Sequence, residues 1–573
     1  NAGLSYGDRF FDGKLGVMAA LCYQHANRGK EAEAYYLPGK TIYGTQFRTY
    51  STAQTRTAAH AKLDYKPAAA HKLTWYGGYM DMKEQQVRDM ADEKGGSTRL
   101  RYTHQYIFST TLQGTHHFGS SGLELEWKGA YSKALSETPD QAEFNFIGTH
   151  IANTGSATRR WEHNDDRDLA GHLDLRYSHG LMTYSVGGMY RDKKRGSFFN
   201  EYTFDSTTGT ANPQYRGEDW NNFDELKLKP RPYGNIGDPL NYDATEQIGA
   251  AYAMAKAKGK RWDATVGLRA EHTVQGYTLI FPRDSDPDGE QRYTDILPSA
   301  HFKYEIHPKG RLHLSYNRSV NRPSFFEIVP YTIINEDYKE KGNPDLEHTV
   351  ADNIDLRYEF FPKGSEQVMV GLFYKHLHNP IEYGLINEGQ DTYYKPMNLG
   401  NATNTGVEID VMKYFKCFGV KANYTFTHSR ITTSKRTMQG SEVISVNQSR
   451  PLFGQAAHVA NVSLLYKSSR WHWEGQISYG YTGKRLSDIS NWLDDDIWEK
   501  GYHRLDLSLE KGFPKAGITL FAKASNLLDT PVVRIVGRGD HTATVDTPRD
   551  NGYVIERKEW HGQSFMLGLR WKL

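Results

Sequence analysis

The sequence predicts an all-β protein, a large antiparallel β-barrel that crosses a membrane many times. Three observations predict this fold. Apolar residues recur at every second position in many segments, short turns alternate with long polar stretches, and aromatic residues reach 13% although the mean hydropathy is only −0.70. A period of two indicates strands whose successive side chains point to opposite faces. A barrel with one lipid-facing and one wet surface accounts for all three observations.

The alternation is clearest in the last ten residues, SFMLGLRWKL. Phe565, Leu567 and Leu569 fall on one face, whereas Arg570 and Lys572 fall on the other. The same pattern recurs in NIDLRYEF (353–360), ANVSLLYK (460–467) and RLDLSLEK (504–511). If the apolar face meets lipid, a slip of one residue would move arginines into the bilayer, at a cost of about 2–4 kcal/mol each. The pattern therefore predicts the register of each strand.

Composition and motifs exclude several classes of protein. The net charge of +2 does not point to nucleic acid, and no apolar run is long enough for a helical membrane span. Cys22 and Cys417 lie far apart, which predicts two unpaired thiols. The sequence lacks the repeated blade signature of a propeller. It also lacks metalloprotease, serine-hydrolase and phosphate-loop motifs, so no enzyme, metal site or cofactor is predicted.

Short turns give the strand count. Ten of them lie at 11–13, 66–71, 118–122, 178–180, 257–261, 307–311, 361–365, 415–419, 467–470 and 513–517. Ten turns predict 21 strands in one barrel domain over residues 1–573. Because single-chain bacterial barrels have even strand numbers, we expect a 22-stranded barrel whose first strand lies upstream of Asn1. Barrels of that size are the transporters with a plugged lumen.

Long polar segments separate the turns. They lie at 138–164, 192–241, 322–348, 432–455 and 530–560. Long connections of this kind are usually functional, and their strict alternation with tight turns is typical of outer-membrane barrels, which have short periplasmic turns and long extracellular loops. We therefore expect these five segments to be extracellular loops.

Several segments resemble the TonB-dependent outer-membrane receptors, particularly those of Bacteroidetes. They are NRPSFFEIVPY followed by EKGNPDLEHTVADNIDLRYEFF, then NTGVEIDV (404–411), ASNLLDTPV (524–532) and the terminal SFMLGLRWKL. The resemblance extends over essentially the whole chain as the receptor barrel. It implies an N-terminal plug domain that this chain lacks. It also implies a place in the outer membrane of a Gram-negative bacterium.

The resemblance further implies active uptake of a scarce, bulky nutrient, energised by the TonB system. A ferric siderophore is the first expectation. The alternatives left open are haem, cobalamin, peptide or glycan uptake, a passive porin, and a surface barrel. The implied partners are outer-membrane lipid and lipopolysaccharide, the inner-membrane TonB complex, a small-molecule metal chelate and a surface lipoprotein, without nucleic acid.

The predicted ligand contacts come from the long loops, with the loop at 322–348 central. Aromatic rings supply flat contact area, and arginine pairs with carboxylate or catecholate oxygens. The candidate residues are Arg322, Phe325, Tyr331 and Tyr338 in that loop, with Arg160, Trp161, Trp220, Tyr394 and Trp492 from others. The alternative, that these aromatics only pack the loops together, stays open.

Two further sequence features bear on the ligand. In haem receptors that resemble this chain, a histidine lies between two stretches that match NRPS (321–324) and NPDL (343–346). No histidine lies between them here, and His348 follows just outside, which favours a siderophore over haem. The basic run RDKKRGSFF (191–199) is interpreted first as a solvated face, with an anionic ligand or lipopolysaccharide as the alternative.

Overall fold

The computed structural model describes residues 1–36, 44–207, 227–230, 240–282, 286–334, 337–388, 391–537 and 547–572. Regular structure in these residues is almost entirely β-strand. Twenty-one strands follow one another around the barrel wall, and each pairs antiparallel with the next. The all-β barrel fold predicted from the sequence is confirmed.

The wall strands have the following bounds: Ala2–Phe10, Leu15–Ala34, Gln46–Ala68, His71–Ala91, Gly95–Phe118, Leu123–Ile147, Ala157–His179, Met182–Ser206, Tyr242–Lys258, Trp262–Leu279, Asp288–His307, Gly310–Asn321, Thr349–Phe360, Gln367–His378, Ala402–Phe415, Phe418–Gln439, His458–Ser468, Trp473–Thr482, Tyr502–Phe513, Ile518–Ser525 and Ser564–Trp571.

Shorter strands lie in the connections: His150–Ile151, Leu228–Pro230, Thr332–Ile334, Lys339–Lys341, Ile381–Glu388, Asp391–Asn398, Glu442–Arg450, Arg485–Ser490, Ile497–Glu499, Val532–Val536, Arg549–Asp550 and Tyr553–Trp560. Within the described ranges, the helices are one α-helical turn, Phe325–Ile328, and two 3₁₀ turns, Gly119–Ser121 and Pro514–Ala516. No helix in the described ranges is long and apolar enough to cross a membrane.

All ten predicted turns connect consecutive wall strands at one end of the barrel, as expected. We call this end the short-turn end and the opposite one the long-loop end. The residues that close the 3₁₀ turns, Gly122 and Gly517, have φ of 72° and 64°, which glycine adopts without steric cost.

Several wall strands are much longer than a membrane span requires. Leu123–Ile147 and Met182–Ser206 each have 25 residues, whereas a tilted membrane strand needs about 9–11. The prediction that 138–164 and 432–455 are loops is therefore wrong, since strands Leu123–Ile147 and Phe418–Gln439 continue through much of them. In the first extension the apolar residues Ala142, Phe144 and Phe146 alternate with polar ones, and Ala142 and Phe144 are buried. The second extension is almost entirely polar, so hydropathy gave no sign of that strand.

The two faces of the wall divide as the alternation predicted. Leu169 and Leu173 are 60% and 57% exposed on the outer face, and Leu567 in the last strand is 86% exposed. The lumen face carries charges that pair across strands, such as Arg195 with Asp166 at 2.6 Å. Apolar side chains meet lipid, and charged side chains neutralise one another inside.

The first and last wall strands each pair on one side only within the described residues. Ala2–Phe10 pairs with Leu15–Ala34, and Ser564–Trp571 pairs with Ile518–Ser525. At the long-loop end, Tyr553–Trp560 also pairs with Leu15–Ala34. Cys22 and Cys417 are both free thiols, as predicted.

Candidate functional site

A small sheet lies across the long-loop end of the barrel. Its first hairpin pairs Thr332–Ile334 with Lys339–Lys341, and its second pairs Ile381–Glu388 with Asp391–Asn398. Parallel bridges join the hairpins to each other and then to Arg485–Ser490. We call these five strands the transverse sheet. Lys339 pairs with Asp391, and Lys341 with Glu388, both at 2.6 Å, so the ion pairs also join the two hairpins.

One edge of the transverse sheet rests on the lumen side of the wall. Phe325 and Tyr331 are only 3% and 2% exposed, and they belong to a cluster that includes Tyr242, Tyr277 and Leu279. The wall members face the lumen, because they lie on the face opposite the exposed Val266 and Leu268. The connection that begins at Arg322 therefore folds into the barrel rather than away from it.

The turn that leads into this cluster is defined locally by its sequence. Ser324 and Glu327 form a capping box, in which each side chain accepts a hydrogen bond from the backbone N–H of the other residue. The Tyr383 hydroxyl also donates to Glu327, at 2.8 Å. The helical turn and the second hairpin are thus held together.

Arg322 fastens the start of the loop to the wall. Its guanidinium donates to Glu271 at 2.5 Å and to Thr273 at 3.1 Å, and both partners face the lumen. Phe325 lies under two cations of the basic run, with Lys193 at 5.1 Å and Arg195 at 5.6 Å from its ring centroid. Arg322 and Phe325 thus act in the structure as packing and anchoring groups.

The opposite edge of the transverse sheet rests on an ionic cluster. Asp337 forms an ion pair with Arg48 at 2.9 Å and accepts a hydrogen bond from Arg557 at 2.8 Å. Arg534 pairs with Glu556 at 2.8 Å and also with Asp488. Burial raises the pKa of the Asp488 carboxyl to about 6, although the positive charge of Arg534 acts in the opposite direction.

Two tyrosines predicted as ligand contacts lie over this ionic cluster. Tyr338 and Tyr394 pack against a buried apolar group that contains Leu385 and Val554. The Tyr338 hydroxyl is buried without a hydrogen-bond partner among the described residues. Burial is the main cause that raises the pKa of both phenols, and carboxylates such as Glu556 near Tyr338 add to it. Both phenols are therefore neutral hydroxyls at neutral pH.

The remaining candidate residues lie elsewhere. Arg160 pairs with Glu201 at 2.7 Å on the wall, and Trp161 makes an edge contact with Tyr202 at 6.1 Å. Trp492 forms an isolated bridge with Arg436. Trp220 lies outside the described residues. The structure therefore places five of the nine candidates at the transverse sheet, with Arg322, Phe325 and Tyr331 at one edge and Tyr338 and Tyr394 at the other.

Sequence reasoning missed two buried ion pairs beside the transverse sheet. Glu382 and Arg450 form a bidentate pair, with the shorter contact at 2.9 Å, and their side chains are 3% and 2% exposed. Lys435 pairs with Asp496 at 2.7 Å. The partners lie 68 and 61 residues apart in the chain. No local pattern marks such pairs, because only the fold brings them together.

The site offers anchoring charges and aromatic surface but no metal-ligand set. No group of three or more His, Cys, Asp or Glu side chains in the described ranges is placed to hold a metal ion. His348 is engaged by its neighbours, since its ring stacks on Tyr293 at 3.9 Å and its Nε2 lies 3.0 Å from Asp295. The arrangement is suited to noncovalent binding and gating at the barrel mouth.

Comparisons with known proteins agree with this architecture. The sequence model of a family described as the outer membrane protein beta-barrel family matches residues 116–571. Among curated protein sequences, none matches this chain.

Several solved structures share the fold. The ferric yersiniabactin uptake receptor FyuA from Yersinia pestis is 13% identical, with a TM-score of 0.59 over 99% of this chain and 77% of that one. FpvA from P. aeruginosa, solved with heterologous pyoverdines, is 11% identical, with a TM-score of 0.59 over 99% and 69%. The siderophore receptor PiuA from Acinetobacter baumannii is 12% identical, with a TM-score of 0.56 over 95% and 81%.

Proposed function

Because the chain belongs to the outer membrane protein beta-barrel family and crosses the outer membrane as a multi-pass β-barrel, we propose that it is the barrel domain of an uptake receptor. Its cargo is a scarce nutrient too bulky for a porin, namely a ferric siderophore. Transport is energised by the TonB system. The proposed role is binding and transport, without catalysis.

The observation that carries this proposal is the transverse sheet. A wall of 21 strands encloses a wide lumen, and a passive pore would keep its mouth open. Here the two hairpins cross the mouth, with Arg322 fixed to Glu271 at one edge and Asp337 fixed to Arg48 and Arg557 at the other. A mouth closed by displaceable hairpins suits a receptor that admits one large ligand, and it argues against a porin.

The chemistry of the mouth supports an anionic chelate. Arg534 lies close to Tyr338 and Tyr394, and Arg48 and Arg557 pair with Asp337, the residue before Tyr338. Siderophores present carboxylate, catecholate or similar oxygens, which guanidinium groups bind well. The similar folds include one structure named as the ferric yersiniabactin uptake receptor and one of FpvA bound to pyoverdines. Haem is less favoured, because His348 is engaged by Asp295 and Tyr293.

The barrel is proposed to be completed by residues that precede this chain. Among the described residues, each of the two terminal wall strands, Ala2–Phe10 and Ser564–Trp571, is hydrogen-bonded to a neighbouring strand along one edge only. One further antiparallel strand between them would give an even count of 22. A plug domain within the lumen would then meet the charged inner face, and a surface lipoprotein stays a candidate partner at the long-loop end.

The test is ligand binding by the full-length protein. Haem and a panel of ferric siderophores are titrated against wild type, Arg322→Ala and Tyr331→Ala. We expect one siderophore to bind tightly and both substitutions to weaken it at least tenfold, since each loosens the loop that forms the mouth. Arg292→Ala is the matched control, because Arg292 is exposed and pairs only with Glu290 within the described residues.

The outcomes separate the alternatives. Siderophore binding that is unchanged in both loop variants would remove the loop from the site. Tight haem binding that is lost in His348→Ala would replace the siderophore by haem. Growth of a deletion strain under iron limitation measures uptake, and a strain that grows as well as wild type on every ferric siderophore would overturn the proposed cargo.

A further inference from the structure

A cleft lies at the long-loop end, where one wall strand changes its neighbour. Near the short-turn end, Phe418–Gln439 pairs with the wall strand His458–Ser468, and further along it pairs with Glu442–Arg450. The stretch 427–430 therefore borders a gap between these two partners. Two adjoining cavities of about 470 and 430 Å³ lie here, and both are lined by Ser449, Arg450, Pro451, Lys484 and Trp498. Sites for small molecules have volumes of about 300–1,000 Å³, so the cleft is large enough for one.

The cleft is separate from the mouth of the barrel. Trp498 lies on the strand face opposite Ile497, because the two residues are neighbours in one strand. Tyr553 likewise lies on the face opposite Val554. Ile497 and Val554 are buried against Leu385 of the transverse sheet. Trp498 and Tyr553 therefore point away from the transverse sheet and line the cleft instead.

Lys484 brings a positive charge into the cleft. Its ammonium lies 4.5 Å from the ring centroid of Trp498 and 4.8 Å from that of Tyr553. Both distances are within the range in which an aromatic ring attracts a cation. In the part of the chain that the structure describes, no carboxylate pairs with the Lys484 ammonium. The two rings thus hold the lysine in place without neutralising it.

The carboxylates of the lining do not neutralise this charge either. Asp494 and Asp496 line the second cavity, but Asp496 is already paired with Lys435 at 2.7 Å. Burial is the only cause that shifts the pKa of Lys484, and it lowers that pKa, whereas a neighbouring carboxylate would raise it. Asp494 is therefore too far from the ammonium to act as its counter-charge. The exposed Arg430 lines the first cavity and adds a further cation.

Arg450 adds a buried donor to the same cleft. Its two terminal nitrogens donate to Glu382, and one of them also donates to the Pro451 carbonyl. Its Nε is buried and has no acceptor among the described residues, and the whole residue is only 5% exposed. Buried donors are almost always hydrogen-bonded, because burial removes their bonds to water. An anion bound in the cleft would accept hydrogen bonds from both Arg450 and Lys484.

Neutral polar groups and aromatic rings make up much of the remaining lining. Ser449 lines both cavities, Gln455 lines the first, and Gln448 lines the second. The Gln448 Oε1 is buried without a donor in the described ranges. Hydroxyl and amide groups exchange hydrogen bonds with sugar hydroxyls, and the rings of Trp498 and Tyr553 offer apolar faces to sugar C–H groups. A carboxylate for the cations, on a ring that bears hydroxyls for the other groups, describes an acidic sugar.

We propose that the cleft binds an acidic sugar, with Lys484 and Arg450 as donors to its carboxylate and Gln448 and Ser449 as partners of its hydroxyls. The site lies outside the mouth, so it goes beyond the proposed uptake function and does not depend on it. Its occupant is a soluble uronic acid or a short chain of such units, and a simple inorganic anion is the alternative that the test separates.

The test is isothermal titration calorimetry of the full-length protein in an uncharged detergent. The probes are digalacturonic acid, its neutral counterpart galabiose, in which hydroxymethyl groups replace both carboxylates, and inorganic phosphate. We expect binding of digalacturonic acid only. Loss of a hydrogen bond to a charged group lowers an affinity by about ten- to a hundredfold, so Lys484→Gln should weaken the binding of digalacturonic acid by that factor.

Two control variants accompany Lys484→Gln. Lys484→Arg keeps a cation that also stacks on aromatic rings, and it should retain binding. Lys467→Gln removes a lysine charge at the short-turn end, where Lys467 pairs with Glu474, and it should bind as wild type does. The proposal is overturned if digalacturonic acid does not bind, if galabiose binds equally well, or if Lys484→Gln leaves the affinity unchanged. Inorganic phosphate that binds as tightly as digalacturonic acid would also overturn it and would show a general anion site instead.

Discussion

The Glu382–Arg450 pair should control whether the second hairpin of the transverse sheet stays closed. Glu382 is the second residue of the first strand of that hairpin, and it also accepts a hydrogen bond from the Phe453 backbone N–H at 2.7 Å. Both side chains of the pair are almost completely buried. The substitution Glu382→Gln keeps the shape and an acceptor for Phe453, but it leaves the Arg450 guanidinium without its counter-charge.

Breaking a buried ion pair by neutralising one partner costs about 3–5 kcal/mol. If that cost falls on the local opening of the hairpin, amide hydrogen exchange in 381–398 should accelerate from about a hundredfold to several thousandfold. Hydrogen–deuterium exchange of the purified protein, followed by mass spectrometry, measures the exchange rate of these amides directly. The double variant Glu382→Leu, Arg450→Met removes both charges and should recover much of the protection.

Glu290→Gln supplies the matched control. Glu290 pairs with Arg292, but their side chains are 50% and 66% exposed, so the same chemical change should leave exchange in the hairpin unaltered. If Glu382→Gln accelerates exchange no more than Glu290→Gln does, the buried pair does not hold the hairpin and the reasoning fails. Acceleration that is equal throughout the barrel would likewise contradict a local role.

Three further predictions follow from the same region. Burial raises the pKa of Asp488 to about 6, above its unfolded value near 3.9. The folded state therefore binds this proton more tightly than the unfolded state does. This contribution to the free energy of unfolding, up to about 3 kcal/mol, is fully present below about pH 4 and is lost as the pH rises through 6. The free energy of unfolding of Asp488→Asn should lack this pH dependence. A pH profile identical to that of the wild type would contradict the prediction. The second prediction concerns Leu385 and Ser490, which are paired across strands. In a variant without the native cysteines, a disulfide between Leu385→Cys and Ser490→Cys should stop uptake until the disulfide is reduced. Uptake by the oxidised variant would show that the hairpins do not act as a gate. Phe325→Ala should lower the free energy of unfolding by about 3–5 kcal/mol, whereas the exposed Phe198→Ala should change it little, and equal losses would contradict the packing role.

The turns and the membrane register could be read from the sequence because both are local. A tight turn needs only a few residues with suitable backbone preferences, and a lipid-facing strand must alternate because charges are expelled from the bilayer. In segments such as NIDLRYEF and the terminal strand, the local sequence is therefore enough to predict which side chains face the lipid and which face the lumen. Above the membrane that constraint disappears. The strand Leu123–Ile147 continues there through Thr138, Pro139 and Asp140, which are typical of a loop, so the sequence predicted a loop although Ala142 and Phe144 further along are buried.

The candidate site shows the same division. The residue types at Arg322, Phe325, Tyr331, Tyr338 and Tyr394 predicted ligand contacts from the loops, and the structure places these residues at the two edges of the transverse sheet. It buries Phe325 and Tyr331 almost completely and the other three in part, as anchors and packing groups of a sheet that crosses the mouth. The solvent exposure of a side chain depends on how the loop folds. The residue type alone does not predict whether a tyrosine will be buried or exposed to water.

The sequence by itself determined the class of fold, the positions of the ten turns and the alternation of lipid and lumen faces, because each depends on neighbours in the chain and on the solvent that a side chain meets. Only the tertiary structure decided that the connection beginning at Arg322 folds into the lumen and that Glu382 meets Arg450 across 68 residues. These features depend on contacts between distant segments, and such contacts exist only after the wall strands have paired in register.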